Sequence, residues 1–257
     1  MAENPASELI RVAERLRGGR RVVALTGAGV SAESKIPTFR DAMSGLWASF
    51  DPQRLATPEA FEADPATVSK WYDFRREKCA QALPNPGHLA LARLEGLLET
   101  RGGRLDILTQ NVDGLHQRAG SKRITELHGS IMRWRCTRTN ARADDLPMPL
   151  PSYPMPSPSG GWYRPDVVWF GEMLPEAALA AAWEALEGCE VFLSIGTSAV
   201  VYPAAGFADE ARSRGALIVE VNPEQTPLTS RADVVLRGLS GVVLPQLVDA
   251  IMDARMA

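Results

Sequence analysis

The side chains best suited to chemistry in this chain of 257 residues fall in two short runs. The first, Gln110-Asn111-Val112-Asp113-Gly114-Leu115-His116, follows an apolar stretch at 105–109 that reads as a strand. Amides and a carboxylate would then stand at a strand's carboxyl end, where open α/β sheets bind ligands. The second, Thr125-Glu126-Leu127-His128-Gly129-Ser130, places a glycine beside an imidazole and so leaves room for a ligand. Histidine is the side chain best suited to proton transfer near neutral pH. The chain has three histidines. His88 opens a predicted helix and reads as structural. His116 reads as a brace for the polar loop. His128 alone would also be more often structural than catalytic, but its flanking motifs reverse that reading.

A third candidate is the glycine-rich run Gly27-Ala28-Gly29-Val30-Ser31-Ala32, directly after an apolar run at 21–26. It meets the G-x-G-x-x-G/A pattern of dinucleotide-binding turns. Gly27 would allow the tight turn, and Gly29 would let backbone N–H groups reach a pyrophosphate. Small Ala32 would let the following helix pack on the strand. Any α/β protein can carry such a turn, so the hexapeptide alone does not decide. An acidic residue about 20 positions on would normally hold the adenosine ribose. Here that stretch is aromatic and proline-broken, unlike an ordinary dehydrogenase.

These groups need elements to position them. Apolar, β-branched runs at 21–26, 105–109, 191–195, 217–221 and 234–236 read as buried strands. Helical periodicity marks 6–16, 87–99, 175–186 and 203–213. Alternation of this kind predicts an α/β fold, a Rossmann-type parallel sheet with helices on both faces. Two regions interrupt it. Residues 37–86 hold aromatics among proline breaks and predict a helical insertion. Residues 131–165 include a Pro/Ser/Gly-rich stretch that predicts irregular loop, held by packing of Trp134, Trp162 and Tyr163. The expected division is a large domain of 1–36, 87–130 and 166–257, and a small lobe of 37–86 and 131–165.

The bulk numbers exclude several classes. Net charge is −3 and the pI about 5.7, so nothing points to nucleic acid. No apolar run approaches the roughly 18 residues of a membrane span, and the first 19 residues have no signal core. Three cysteines make no disulfide framework. The expectation is a cytoplasmic monomer.

Taken in order, GAGVSAESKIPTFRD (27–41), TQNVDGLH (109–116), LHGS (127–130), VVWFGE (167–172), GTS (196–198) and VNPE (221–224) resemble the sirtuin family. The resemblance covers residues 20 to 245 and implies NAD as a consumed co-substrate. It places Gly27, Ala28, Gly29, Ala32, Glu33, Thr38, Phe39, Arg40 and Trp47 around the diphosphate and ribose. Gln110, Asn111, Val112 and Asp113 fall at the nicotinamide end. Gly196, Thr197, Ser198, Asn222, Pro223, Glu224 and Ser240 fall at the adenosine end. His128 becomes the general base and, with Asn111, the catalytic pair. Val168, Trp169, Phe170, Gly171 and Glu172 would pair with the backbone of an acylated-lysine peptide as an added strand. In the implied reaction the acyl oxygen displaces nicotinamide. His128 then deprotonates a ribose hydroxyl, which attacks the imidate carbon, and water releases lysine and O-acyl-ADP-ribose.

Tyr72 and Arg75 lie three apart, on one face if helical. On an ordinary helix they would be a core tyrosine and a surface arginine. At this place they resemble the sirtuins that remove succinyl and malonyl groups, where a guanidinium fork fits the acyl carboxylate. Sirtuins usually hold a structural zinc with four cysteines, whereas this region offers only Cys136, with Thr139 where a second would fall. No zinc is expected. Lys35 replaces a glycine found in many relatives; altered loop mobility and a phosphate contact both remain open. Rival readings are a mono-ADP-ribosyltransferase using the same pocket, an NAD-sensing module and a dehydrogenase.

Overall fold

The structure, a computed structural model, describes residues 5–18, 20–36 and 51–253. In chain order the strands are β1 (Arg21–Thr26), β2 (Arg104–Thr109), β3 (Ile124–Glu126), β4 (Gly129–Cys136), β5 (Arg142–Ala143), β6 (Tyr163–Val167), β7 (Val191–Ile195), β8 (Leu217–Asn222) and β9 (Val234–Arg237). The helices are α1 (Pro5–Arg17), α2 (Ala28–Ser31), α3 (Pro52–Leu55), α4 (Pro58–Ala63), α5 (Pro65–Gln81), α6 (Pro86–Thr100), α7 (Leu115–Arg118), α8 (Glu176–Leu186), α9 (Phe207–Ser213) and α10 (Ser240–Met252).

Six strands form one parallel sheet in the order β3-β2-β1-β7-β8-β9. The order reverses direction between β1 and β7, the switch point where such sheets open a crevice. Alternation along β1 assigns its faces. Val22 and Ala24 join a core with residues of α1, α6 and α10, whereas Val23 and Leu25 join a second core with α8 and α9. The expected sheet with helices on both faces is therefore present.

A third core, with Phe61, Trp71, Tyr72, Ile131, Trp134 and Trp169, joins α4 and α5 to the antiparallel sheet β5-β4-β6. Four of the prolines read as breaks in 51–86, namely Pro52, Pro58, Pro65 and Pro86, begin helices instead. Thr57, Asp64 and Asn85 cap α4, α5 and α6 from their side chains, each followed by proline at the first helical position. Proline loses nothing there, because its missing N–H would have had no partner within the helix.

The insertion expected at 131–165 holds β4, β5 and β6, with β4 beginning before it and β6 ending after it. The Pro-rich segment between them has no regular structure. Of the three residues expected to hold it, Trp134 is fully buried and Tyr163 packs against the third core, whereas the Trp162 side chain is 42% exposed. Buried Asp73 of α5 supplies the tie, accepting hydrogen bonds from the Leu150 N–H (2.7 Å) and the Tyr153 hydroxyl (2.6 Å). Among the described residues, no helix is long and apolar enough to cross a membrane.

Candidate active site

The parallel register sets Thr26 beside Thr109 and Ile195, and Ile195 beside Val221. The loops after β1, β2, β7 and β8 therefore open along one edge, and the polar residues singled out in the sequence meet there.

The glycine turn is an interlock of two loops. A Cβ on Gly29 would lie 2.8 Å from the Gly196 Cα, and one on Gly196 would lie 2.6 Å from the Val30 nitrogen. The Gly29 N–H donates to the Gly196 carbonyl at 2.8 Å. That amide is thus used within the chain. Ala32 is exposed and does not pack on the strand; Val30 is the buried contact. Helix α2 ends after one turn and continues as a 3-10 turn, Ala32–Ser34, closed by Lys35 at φ 61°. A lysine in this left-handed region explains why glycine suits the position.

Above this floor stands a connected set of side chains. Asn111 donates from Nδ2 to the Gly27 carbonyl and to Ser31 Oγ, each at 3.0 Å. Ser31 donates to Asp113 Oδ2 at 2.7 Å, and Asp113 Oδ1 accepts the Leu115 N–H at 2.9 Å. Burial raises the Asp113 pKa, opposed by those two donors. Behind Ser31 lies His88. Its Nδ1 accepts the Asn85 N–H, so Nε2 carries the proton and faces Ser31 Oγ at 3.5 Å. The His116 ring lies 4.8 Å from that of His88, tilted by 59°, with Nε2 3.0 Å from Thr26 Oγ1.

Gln110 donates to Thr197 Oγ1 at 3.0 Å, joining the loop after β2 to the loop after β7. Asn222 Nδ2 holds the Thr197 carbonyl at 2.9 Å. Glu33 accepts from the Gly241 N–H (2.7 Å) and from Ser240 Oγ (3.3 Å), so these distant residues meet at the start of α10. Ser198 is half-buried, whereas Ala28, Pro223 and Glu224 are exposed. Val112 packs toward the third core.

His128 points Nδ1 at the Gln110 carbonyl, 3.0 Å away, and burial lowers its pKa. Gly129 beside it has φ 76°, and a Cβ there would lie 2.1 Å from the Asp166 carbonyl oxygen. In residues 168–172, four amides are engaged within the chain. The Val168 N–H donates to the His128 carbonyl, Trp169 to Glu172 Oε2, Phe170 to the Ala56 carbonyl and Glu172 to the Trp169 carbonyl. Gly171 is exposed. Glu172 is also bidentate with Arg164, at 2.6 and 2.9 Å. Thr38, Phe39, Arg40 and Trp47 lie outside the described residues.

Glycines that admit no Cβ, with amides, a carboxylate and an imidazole above them, make a cradle for a polar, phosphorylated ligand. The family model described as the Sir2 family matches residues 27–203, which hold most of that cradle. The chain belongs to the Sir2 family, the sirtuins. The NAD-dependent protein deacylase 2 of Pyrobaculum aerophilum is 49% identical over 243 residues, 94% of this sirtuin and 95% of the relative. The NAD-dependent protein deacylase 1 of Pseudomonas aeruginosa is 49% identical over 245 residues, 92% and 96% of the two chains. The crystal structure of a Sir2 homologue–NAD complex superposes with a TM-score of 0.87 at 45% identity, covering 95% of this chain and 94% of that one. The structure of Sir2Af2 bound to a myristoylated histone peptide gives 0.72 at 31%, covering 96% and 97%.

Sequence reasoning missed Ser31, which joins Asn111, Asp113 and His88. A serine inside a glycine turn carries no periodic signal. Only its partners, 57 to 82 residues away, reveal it.

Proposed function

We propose that this NAD-dependent protein deacylase takes lysines carrying acidic acyl groups, succinyl and malonyl, ahead of acetyl-lysine. The observation that carries the preference is the placing of Tyr72 on α5 against Trp169, with Arg75 following it on the same helix over Trp71. Tyr72 is buried, 6.2 Å from the Trp169 ring between centroids. Arg75 is half-buried, its guanidinium 4.7 Å from the Trp71 ring. Burial lowers the Arg75 pKa, so its charge is costly there and a ligand carboxylate would offset the cost. Trp169 belongs to the segment expected to meet the peptide, so acyl selection and peptide binding would share one wall.

The catalytic reading rests on the same geometry. NAD supplies a ribose carbon that nicotinamide leaves and the acyl oxygen joins. Gln110, Asn111 and Asp113 would orient that ribose, and Thr197, Asn222, Ser240 and Glu33 would serve the adenosine end. His128 would take a ribose hydroxyl proton at Nε2. An amide oxygen is a poor nucleophile, so much of the rate must come from positioning, which can supply roughly 7–11 kcal/mol. The division into a sheet domain and a small lobe of 37–86 and 131–165 fits a cleft between them.

Mass spectrometry of matched acetyl-, succinyl- and malonyl-lysine peptides, with and without NAD, tests the reading. NAD-dependent loss of succinyl and malonyl should outpace loss of acetyl. Faster deacetylation would overturn the preference, and ADP-ribosylated peptide without deacylation would overturn the reaction.

A further inference from the structure

Between β4 and β6, two turns face each other, each with an amide aimed at its first side-chain atom. In Cys136-Thr137-Arg138-Thr139-Asn140, the Arg138 N–H points at Cys136 Sγ (3.4 Å) and the Asn140 N–H at the Cys136 carbonyl (2.9 Å). Asn140, just past Thr139, is left-handed at φ 55°. In Ser157-Pro158-Ser159-Gly160-Gly161, the Ser159 N–H points at Ser157 Oγ (3.3 Å) and the Gly160 N–H at the Ser157 carbonyl (3.0 Å). Gly161, just past Gly160, is left-handed at φ 74°. Each turn thus presents two positions separated by two residues, with an amide aimed at the first side-chain atom.

The turns are tied to each other. The Cys136 thiol donates to the Gly160 carbonyl at 3.3 Å, and the Trp162 N–H donates to Thr137 Oγ1 at 3.1 Å. A pair of x-x-spaced turns converging on one point is the frame of a four-ligand metal site. The donors do not fit one. Structural zinc takes thiolate, imidazole or carboxylate, and this point offers one thiol, two neutral hydroxyls and a glycine without a side chain. Among the described residues, no group of three or more His, Cys, Asp or Glu could hold a metal.

We infer that these turns are a metal-binding knuckle pair rebuilt as a hydrogen-bonded knot, with Cys136, Thr139, Ser157 and Gly160 in the four ligand positions. The chain between the turns is held by a second device. Asp73 Oδ1 pairs with Arg76 at 2.7 Å, both side chains fully buried. Oδ2 takes the Leu150 amide and the Tyr153 hydroxyl. Arg76 donates to the carbonyls of Leu146 and Pro147. One helical turn of α5 thus grips residues 146–153 at four points. The cross-link that a metal would make is divided between this buried pair and the knot.

Refilling the knuckles tests the assignment. Thr139→Cys, Ser157→Cys and Gly160→Cys together should bind one Co²⁺ with the absorption of a tetrahedral thiolate site, and Zn²⁺ should displace it. The parent protein should stay colourless, contain no stoichiometric zinc by elemental analysis and melt at the same temperature with or without chelator. A folded triple variant that stays colourless overturns the inference, as does zinc in the parent. Gly160 is left-handed at φ 82°, so the triple variant can be strained. Ser157→Cys alone provides a second reading. A short bis-alkylating thiol reagent should link Cys136 to the new thiol, found by peptide mapping, and failure to link them in folded protein overturns the assignment.

Discussion

His128 turns Nδ1 to the carbonyl oxygen of Gln110, 3.0 Å away. A carbonyl can only accept, so Nδ1 holds the proton and Nε2 is left with its lone pair. The main chain at the end of β2 thereby sets the tautomer that a general base requires.

Burial lowers the His128 pKa, and the Gln110 carbonyl only partly opposes it. The imidazole is then neutral, and active as a base, down to a pH below the ordinary value of about 6.5. The pH profile of kcat/KM should rise through an apparent pKa under 6.5 and then stay flat to pH 8. His128→Ala should keep NAD binding in calorimetry and lose about 10²–10⁴ in turnover. Near-parental turnover would remove His128 from the reaction.

Ser31→Ala should damage the site from beneath. It takes the donor from buried Asp113 and the acceptor from Asn111. Leaving such groups unsatisfied costs about 1–3 kcal/mol. The melting temperature should fall and KM for NAD should rise. A KM equal to the parent's would show that the network does not orient the ligand.

The histidine pair should make the fold sensitive to acid. Burial pushes His88 down to about 4 and, with the nearby His88 charge, His116 down to about 3. Between these values and the unfolded value near 6.5, the unfolded chain binds more protons than the native one. Stability from these two groups is complete above 6.5 and is lost as pH falls, by about 1.4 kcal/mol per pH unit for each ring. Urea midpoints from pH 7.5 to 4.5 should drop steadily below about 6.5. A flat profile would mean that the rings are hydrated or paired.

Arg75→Met should separate the acyl groups. Hydrogen bonds to a charged partner contribute about 1.5–3 kcal/mol, so kcat/KM for succinyl-lysine should fall roughly 10- to 100-fold. Deacetylation should change by less than about threefold. Equal losses on both substrates would assign Arg75 to packing on Trp71 alone.

The strands of the large sheet were legible because a parallel strand buried on both faces reads as an unbroken apolar run. β1 and β7 match their expected bounds. Short β3 carries only three half-buried residues, too few for periodicity, and was not foreseen. The motif residues told where polar groups gather but not how they connect. Gly29 shows the difference, since its need for a bare Cα comes from Gly196, 167 positions away. Ser157 and Gly160 could not be seen as knuckle positions, because no cysteine marks them. Their alignment with Cys136 and Thr139 exists only once β4 and β6 pair.

The central place of β1 also has a consequence in time. This early strand is flanked by β2 and by β7, with Val22 against Val191. During synthesis at about 5–20 residues per second, one side of β1 waits on the order of ten to thirty seconds for its partner. Through that interval an apolar strand has a bare edge, the kind of surface on which other chains pair. Newly made chains of this sirtuin should therefore depend on chaperones until residue 195 has left the ribosome, whatever the stability of the finished fold.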